Sequence, residues 1–218
     1  MSLDVVTGLR AALIACALVL WFLTQRLLAG RAPGAGGISD RVHAWTAPLH
    51  ARLAAHPRVA DAVLIASSAV IDVFGLWLLG SALLGPTFRP FLSLFGLYLL
   101  RQICQALCSL PAPPGVIWHH PGFPSLLVTY GTSQDYFFSG HTAIAVLGAI
   151  AAVTAGPPWL ATAAVVAAAL EAAVVLVLRA HYTMDVVAAA CAAWCAWSLG
   201  GAVAPVVDAW LTGLRLIN

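Results

Sequence analysis

Two short segments hold residue types that could handle a phosphoryl group. In Ser139-Gly140-His141-Thr142 a histidine stands where a polar stretch becomes a long apolar run. Serine is a favoured helix N-cap, and glycine lets a ligand approach the backbone closely. The first amides of a helix lack internal partners and the dipole is positive there, so a phosphate is held well. A histidine in that first turn can give or take a proton. In the second segment, Arg179-Ala180-His181-Tyr182-Thr183-Met184-Asp185, the histidine and the aspartate are four residues apart, on one helix face. An aspartate so spaced can accept the imidazole Nδ1 proton, which fixes the tautomer and presents Nε2 as a nucleophile. Its charge would also stabilise an imidazolium or a phosphohistidine. A His–Asp pair that merely caps a helix is the competing reading of this segment taken alone.

The elements that must position these residues are membrane helices. Of the 218 residues 62% are hydrophobic and 8% charged, against about 25% charged in a soluble domain. The expected fold class is all-α, a polytopic membrane protein of six transmembrane helices in one domain spanning 1–218. Apolar runs of the required length, roughly 20 residues, lie near 9–29, 59–84, 91–110, 139–155, 159–178 and 183–204, the last ended by Pro205. The first is long for a signal peptide and reads as a retained helix. Between the first two, residues 39–56 set Val42, Trp45, Leu49 and Leu53 at three- and four-residue steps beside arginines and histidines. That pattern predicts an amphipathic helix in the interface, with His43, His50 and His56 at headgroup level.

Helix parity then matters. With six spans, the loops before the second, fourth and sixth share one side of the membrane. His141 and His181 therefore open on the same face, and two short motifs become one candidate site. The five cysteines, Cys16, Cys104, Cys108, Cys191 and Cys195, lie in apolar runs without a Cys-x-x-Cys pair. They read as packing residues, and no disulfide, metal or other cofactor is expected. A formal charge of +2 gives no case for a nucleic-acid partner.

The segments Asp135–Thr142 and His181–Val187 resemble the signature segments of the sphingomyelin synthase family, within the type-2 phosphatidic acid phosphatase superfamily. Arg101, followed by Leu110-Pro111-Ala112-Pro113-Pro114-Gly115, is similar to a third segment of that family, and the likeness covers roughly residues 90–200. The plant phosphatidylcholine:diacylglycerol cholinephosphotransferases are similar too, sharing the Ser-Gly-His and His-Tyr-Thr-x-Asp elements. The resemblance implies a ping-pong transfer of a phosphocholine- or phosphoethanolamine-type headgroup from a phospholipid donor to a lipid alcohol, ceramide or diacylglycerol. His181, oriented by Asp185, would attack phosphorus, and His141 would protonate the leaving oxygen. Ser139, Gly140, Thr142, Tyr182 and the acidic Asp135 would contact substrate. A lipid phosphatase or phospholipase C-like hydrolase using the same residues is the alternative, and a homo-oligomer is compatible with either.

The departures from the superfamily carry information. Its Lys-x6-Arg-Pro segment would need lysine where Ala82 stands, and Arg89-Pro90 falls on the opposite side of the membrane from His141. Its Ser-Arg pair before the histidine is replaced by Val174 and Val175. A phosphomonoester approaches two negative charges near neutral pH and a diester has about one. Fewer cations therefore favour a diester, and so headgroup transfer. Three ionisable residues, Asp72, Arg101 and Glu171, fall within spans, where they are costly and usually functional or paired. Arg101 lies about 14 Å below Leu110 and Glu171 about 12 Å below Arg179, at ~1.5 Å per residue. The two are expected to meet or to flank one cavity. Arg179 is a candidate phosphate contact, and Trp118, His119 and His120 are candidates for a headgroup wall. Arg31, Arg41, Arg52, Arg58 and Arg179 share the site's side, against Arg10, Arg89 and Arg215 on the other. That count alone would face the site to the cytoplasm. The resemblance implies the exoplasmic face, which is the orientation expected here.

Overall fold

The computed structural model describes residues 5–29, 38–128, 130 and 136–215. Its described residues form eight helices and no strand: α1 Val5–Ala29, α2 Arg41–Trp45, α3 Ala47–Ala55, α4 Pro57–Leu84, α5 Arg89–Leu107, α6 Gly140–Ala155, α7 Pro158–Val177 and α8 Thr183–Arg215. Five of them, α1, α4, α5, α7 and α8, are long and apolar enough to cross a membrane. The chain is an all-helical, polytopic integral membrane protein.

The expected span over 139–155 is the apolar helix α6, which has only 16 residues, about 24 Å at ~1.5 Å per residue. Ten of its residues are buried, and it packs on α4, α5, α7 and α8. Its first three turns are enclosed by those helices, and its last turn, Val153 to Ala155, is exposed. Gly148 of α6 lies flat against the Phe74 ring of α4, where a Cβ would collide.

Three expected boundaries move. The third span stops at Leu107 instead of 110, because Cys108 turns extended (φ −120°, ψ 133°) and prolines follow. The last span does not stop at Pro205; α8 runs through it to Arg215. A proline removes one helical hydrogen bond and crowds the carbonyl four residues back, which here belongs to Gly201. Packing of α8 on α5 holds the helix together across that point. The interfacial helix over 39–56 divides into α2 and α3 at Thr46, where Pro48 opens a new first turn.

Opposite the site, the bundle is tied by a polar lock. Asp208 of α8 accepts from Thr87 Oγ1 at 2.7 Å and Phe88 N at 2.8 Å. Arg10 of α1 donates to the Gly85 carbonyl at 3.0 Å and stands 3.8 Å from Asp208. Arg89, of the single Arg-Pro pair, donates to the Trp197 carbonyl at 3.0 Å and stacks 4.0 Å over that ring.

The long loop between α5 and α6 descends into the bundle along one face of α4. Asp61, Ser68 and Asp72 lie seven and four residues apart on that face. Asp61 takes His119 Nε2 at 2.7 Å, Ser68 meets the Tyr130 hydroxyl at 2.6 Å, and Asp72 accepts Leu126 N and Leu127 N, each at 2.9 Å. Non-helical backbone at membrane depth is tolerated only where protein satisfies it, and the intramembrane Asp72 does so. Leu127 then seats against Gly75, where no Cβ would fit.

Candidate active site

The turn that carries His181 is shaped by the two helix ends beside it. At the end of α7, Ala180 N bonds to the Val175 carbonyl at 2.9 Å and Arg179 N to the Leu176 carbonyl at 3.1 Å. That pair of bonds is the Schellman pattern, whose left-handed position normally takes glycine. Here Arg179 occupies it with φ 54°, at a cost of about 1 kcal/mol. The chain is thereby swung inward, and His181 sits in the five-residue link, 178–182, before α8 begins at Thr183.

Because α8 begins only there, Asp185 lies in its first turn. Its Oδ2 reaches back to Tyr182 N at 2.8 Å, the return bond of a capping box. The expected Nδ1–Asp185 hydrogen bond does not form; Asp185 Oδ2 stands 3.6 Å from Nδ1. Nδ1 instead lies 2.9 Å from the Tyr136 carbonyl. A carbonyl oxygen only accepts, so Nδ1 carries the proton and the neutral ring's Nε2 keeps its lone pair. The tautomer expected for a nucleophile is therefore set by a backbone oxygen. Asp185 contributes charge from the side, and its Oδ1 is buried with no partner among the described residues.

Further contacts fix the same turn. His50 Nδ1 donates to the Val177 carbonyl at 2.8 Å, Ile117 N to the Leu178 carbonyl at 2.8 Å, and His43 Nε2 to the His181 carbonyl at 2.9 Å. His43 and His50 are buried, so the expectation that they face headgroups is corrected: they clamp the His181 turn from α2 and α3. His56 does behave as a surface residue, bonded within its own helix to Arg52. Asp40 joins the two sides. It accepts Val42 N at 2.9 Å as the cap of α2, and Thr183 N at 2.6 Å and Thr183 Oγ1 at 2.9 Å at the start of α8. Burial pushes the Asp40 carboxyl up, but these bonds and the nearby His43 outweigh it and hold the carboxyl below its ordinary value.

His141 is presented by α6. Ser139 caps the helix, taking Thr142 N at 3.3 Å, and Ser139 N bonds to the Asp185 carbonyl at 3.2 Å, which couples the two motifs. Arg101 of α5 is buried, donates from Nε to the Phe138 carbonyl at 2.9 Å, and lies so near Gly140 that a Cβ there would be 3.3 Å from Nε. The Trp118 ring stands edge-on to His141 at 5.0 Å. His141 Nε2 is buried without a partner among the described residues.

One cleft collects Arg101, Gly140, His141 and His181 together with Tyr136, Trp118, Leu127, Val128 and, from α1, Trp21 and Gln25. The Tyr136 phenol is raised above its ordinary value by burial and then by the neighbouring Tyr182. The other expected contact residues stand elsewhere. Ser139 acts through backbone capping. Thr142 faces an apolar groove between α6, α7 and α8. Tyr182 stacks on His43 at 5.7 Å. Arg179 donates from Nη1 to the Pro114 carbonyl at 2.8 Å and does not line the cleft. Glu171 does not meet Arg101; it accepts from Ser67 Oγ at 2.6 Å. Asp135 lies outside the described residues.

The AtPDCT1/2 family model matches residues 39–202, which takes in α2 through the whole cleft apart from α1. No curated protein and no solved structure matches the chain.

Proposed function

Since the chain belongs to the AtPDCT1/2 family, we propose that it is a membrane cholinephosphotransferase that moves a phosphocholine-type headgroup from a glycerophospholipid to a diacylglycerol. Ceramide is the acceptor implied by the likeness to sphingomyelin synthases, and diacylglycerol is favoured by the family match. The observation that carries the reading is the His181 ring. Its Nδ1 proton is committed to the Tyr136 carbonyl, and its Nε2 lone pair belongs to a cleft shared with His141 and Arg101.

In the first half-reaction Nε2 of His181 attacks phosphorus, and the bond from phosphorus to the diacylglycerol oxygen breaks. His141 gives that oxygen its proton. The headgroup is left on His181 as a phosphoramidate, with Asp185 beside the positive ring and Arg101 beside the phosphoryl oxygens. A second diacylglycerol then enters. His141 takes its hydroxyl proton, the oxygen attacks phosphorus, and the nitrogen–phosphorus bond breaks. Atoms and protons return to their starting state, so water is not consumed. A covalent intermediate divides one hard displacement into two easier ones. We place the site on the exoplasmic face, as the likeness to sphingomyelin synthases implies; labelling of single cysteines placed in the loop over 108–128 of intact cells tests that, and protection from an impermeant reagent would reverse it.

The test is a transfer assay. Purified protein receives phosphatidylcholine labelled in the headgroup and a diacylglycerol with distinguishable chains. Labelled phosphatidylcholine bearing the new chains is expected, and none from His181→Ala. Release of free phosphocholine without transfer would make the protein a hydrolase and overturn the reading.

A further inference from the structure

Helix α1 lies outside the region matched by the family model, which begins at residue 39. Two of its side chains nevertheless line the cleft with His141 and His181. Trp21 and Gln25 are one turn apart on the same face. They are 8% and 6% exposed, and Trp21 Nε1 and Gln25 Nε2 are both buried with no hydrogen-bond partner among the described residues. Leaving a buried donor unpaired is costly, so two of them on one face of one cavity point to an acceptor that arrives with a ligand. We infer that Trp21 and Gln25 donate hydrogen bonds to the ester oxygens of the lipid whose phosphate lies at His181. This rests on the headgroup-transfer reading and identifies the part of the substrate it leaves undescribed.

The geometry of α1 sets the register. Its Ala29 end is on the side of the site, so Gln25 lies above Trp21. Below Trp21 the same face continues through Leu18 and Ile14, which line an apolar slot with Leu94, Tyr98 and Leu127. The slot and the cleft share Trp21, Tyr98 and Leu127, so they adjoin. Gln25 and Trp21 are separated by about 6 Å along the helix, and Trp21 and Ile14 by about 10 Å, at ~1.5 Å per residue. Reading downward, the cleft offers a cation and two histidines, then two donors, then an apolar slot. A glycerolipid offers a phosphate, then ester carbonyls, then an acyl chain, in that order. Neither donor can serve an ether-linked chain as well, because an ether oxygen is a poorer acceptor than a carbonyl.

The experiment compares binding of 1,2-diacyl and 1,2-dialkyl phosphatidylcholine of equal chain length to the purified full chain, read by thermal stabilisation over a lipid titration. Wild type should bind the diacyl lipid roughly tenfold more tightly, the factor that ~1.4 kcal/mol of unpaired donor corresponds to. The double variant Trp21→Phe, Gln25→Leu should lose the preference while binding the dialkyl lipid at least as well as wild type, which also shows that it is folded. If the double variant binds neither lipid, Gln25→Leu alone must lower the preference about threefold or more. No preference in wild type, or a preference that survives the substitutions, overturns the inference. Ester preference in binding without any headgroup transfer would sink the functional reading alone; transfer without ester preference would sink this inference alone.

Discussion

Replacing Asp40 by alanine tests how the His181 turn is built. The carboxylate accepts Val42 N at 2.9 Å, His43 N at 3.4 Å, Thr183 N at 2.6 Å and Thr183 Oγ1 at 2.9 Å. Oδ1 caps α2 and also takes the Thr183 hydroxyl, while Oδ2 takes Thr183 N at the start of α8. Losing one cap costs about 1 kcal/mol, and bonds to a charged acceptor run above the neutral average. Two helix ends together give about 2–3 kcal/mol, which for a chain of this size is a drop of about 4–12 °C in Tm. Activity should fall further than stability explains, because His43 reaches the His181 carbonyl from the helix that Asp40 caps. The assays are thermal unfolding in detergent and headgroup turnover across pH. The native carboxyl titrates below its unfolded value of about 3.9. Its contribution is therefore complete above that value and is lost as pH falls through the lower native one. Asp40→Asn should flatten that acid limb. A Tm change under 2 °C in Asp40→Ala, with turnover unchanged, would refute the reasoning.

Other substitutions separate the cleft from its surroundings. Asp72→Asn forfeits the charge-assisted bonds to Leu126 N and Leu127 N, so it should cost about 2–3 kcal/mol and lower turnover, since Leu127 and Val128 line the cleft; wild-type stability would contradict the loop anchor. Arg101→Gln removes a buried cation from the cleft and its bond to the Phe138 carbonyl, and kcat/KM should fall roughly 100-fold or more. Glu171→Gln keeps an acceptor for Ser67 outside the cleft, so turnover should stay within about twofold; a tenfold loss would return Glu171 to the site.

Helix parity and two short motifs made much of this legible in the sequence. Counting apolar runs put both histidine segments at helix starts on one side, and the structure brings them into one cleft. The polar contacts between elements were not legible, because they depend on which neighbour each side chain meets. The i, i+4 spacing of His181 and Asp185 assumed a helix through both; α8 starts at Thr183, so Asp185 caps and the Tyr136 carbonyl takes the imidazole proton. An amphipathic stripe showed that 39–56 has two faces but not that His43 and His50 turn inward to carbonyls of the 177–181 turn. Ser39-Asp40 ahead of that stripe was an available N-cap signal, though nothing in it announces that the same carboxylate serves α8. Arg101 and Glu171 agreed in depth, yet depth does not fix rotation about a helix axis, and they face different partners. Trp21 looked like one more residue of an apolar span until α1 packed beside the cleft.

Ping-pong transfer requires a covalent headgroup at one nitrogen. Wild-type protein mixed with phosphatidylcholine in the absence of acceptor, quenched rapidly under alkaline conditions and digested, should yield a phosphocholine adduct on the peptide containing His181, cleared when diacylglycerol is added before the quench. Headgroup transfer that proceeds with no adduct on that peptide, or with the adduct on His141, would contradict it.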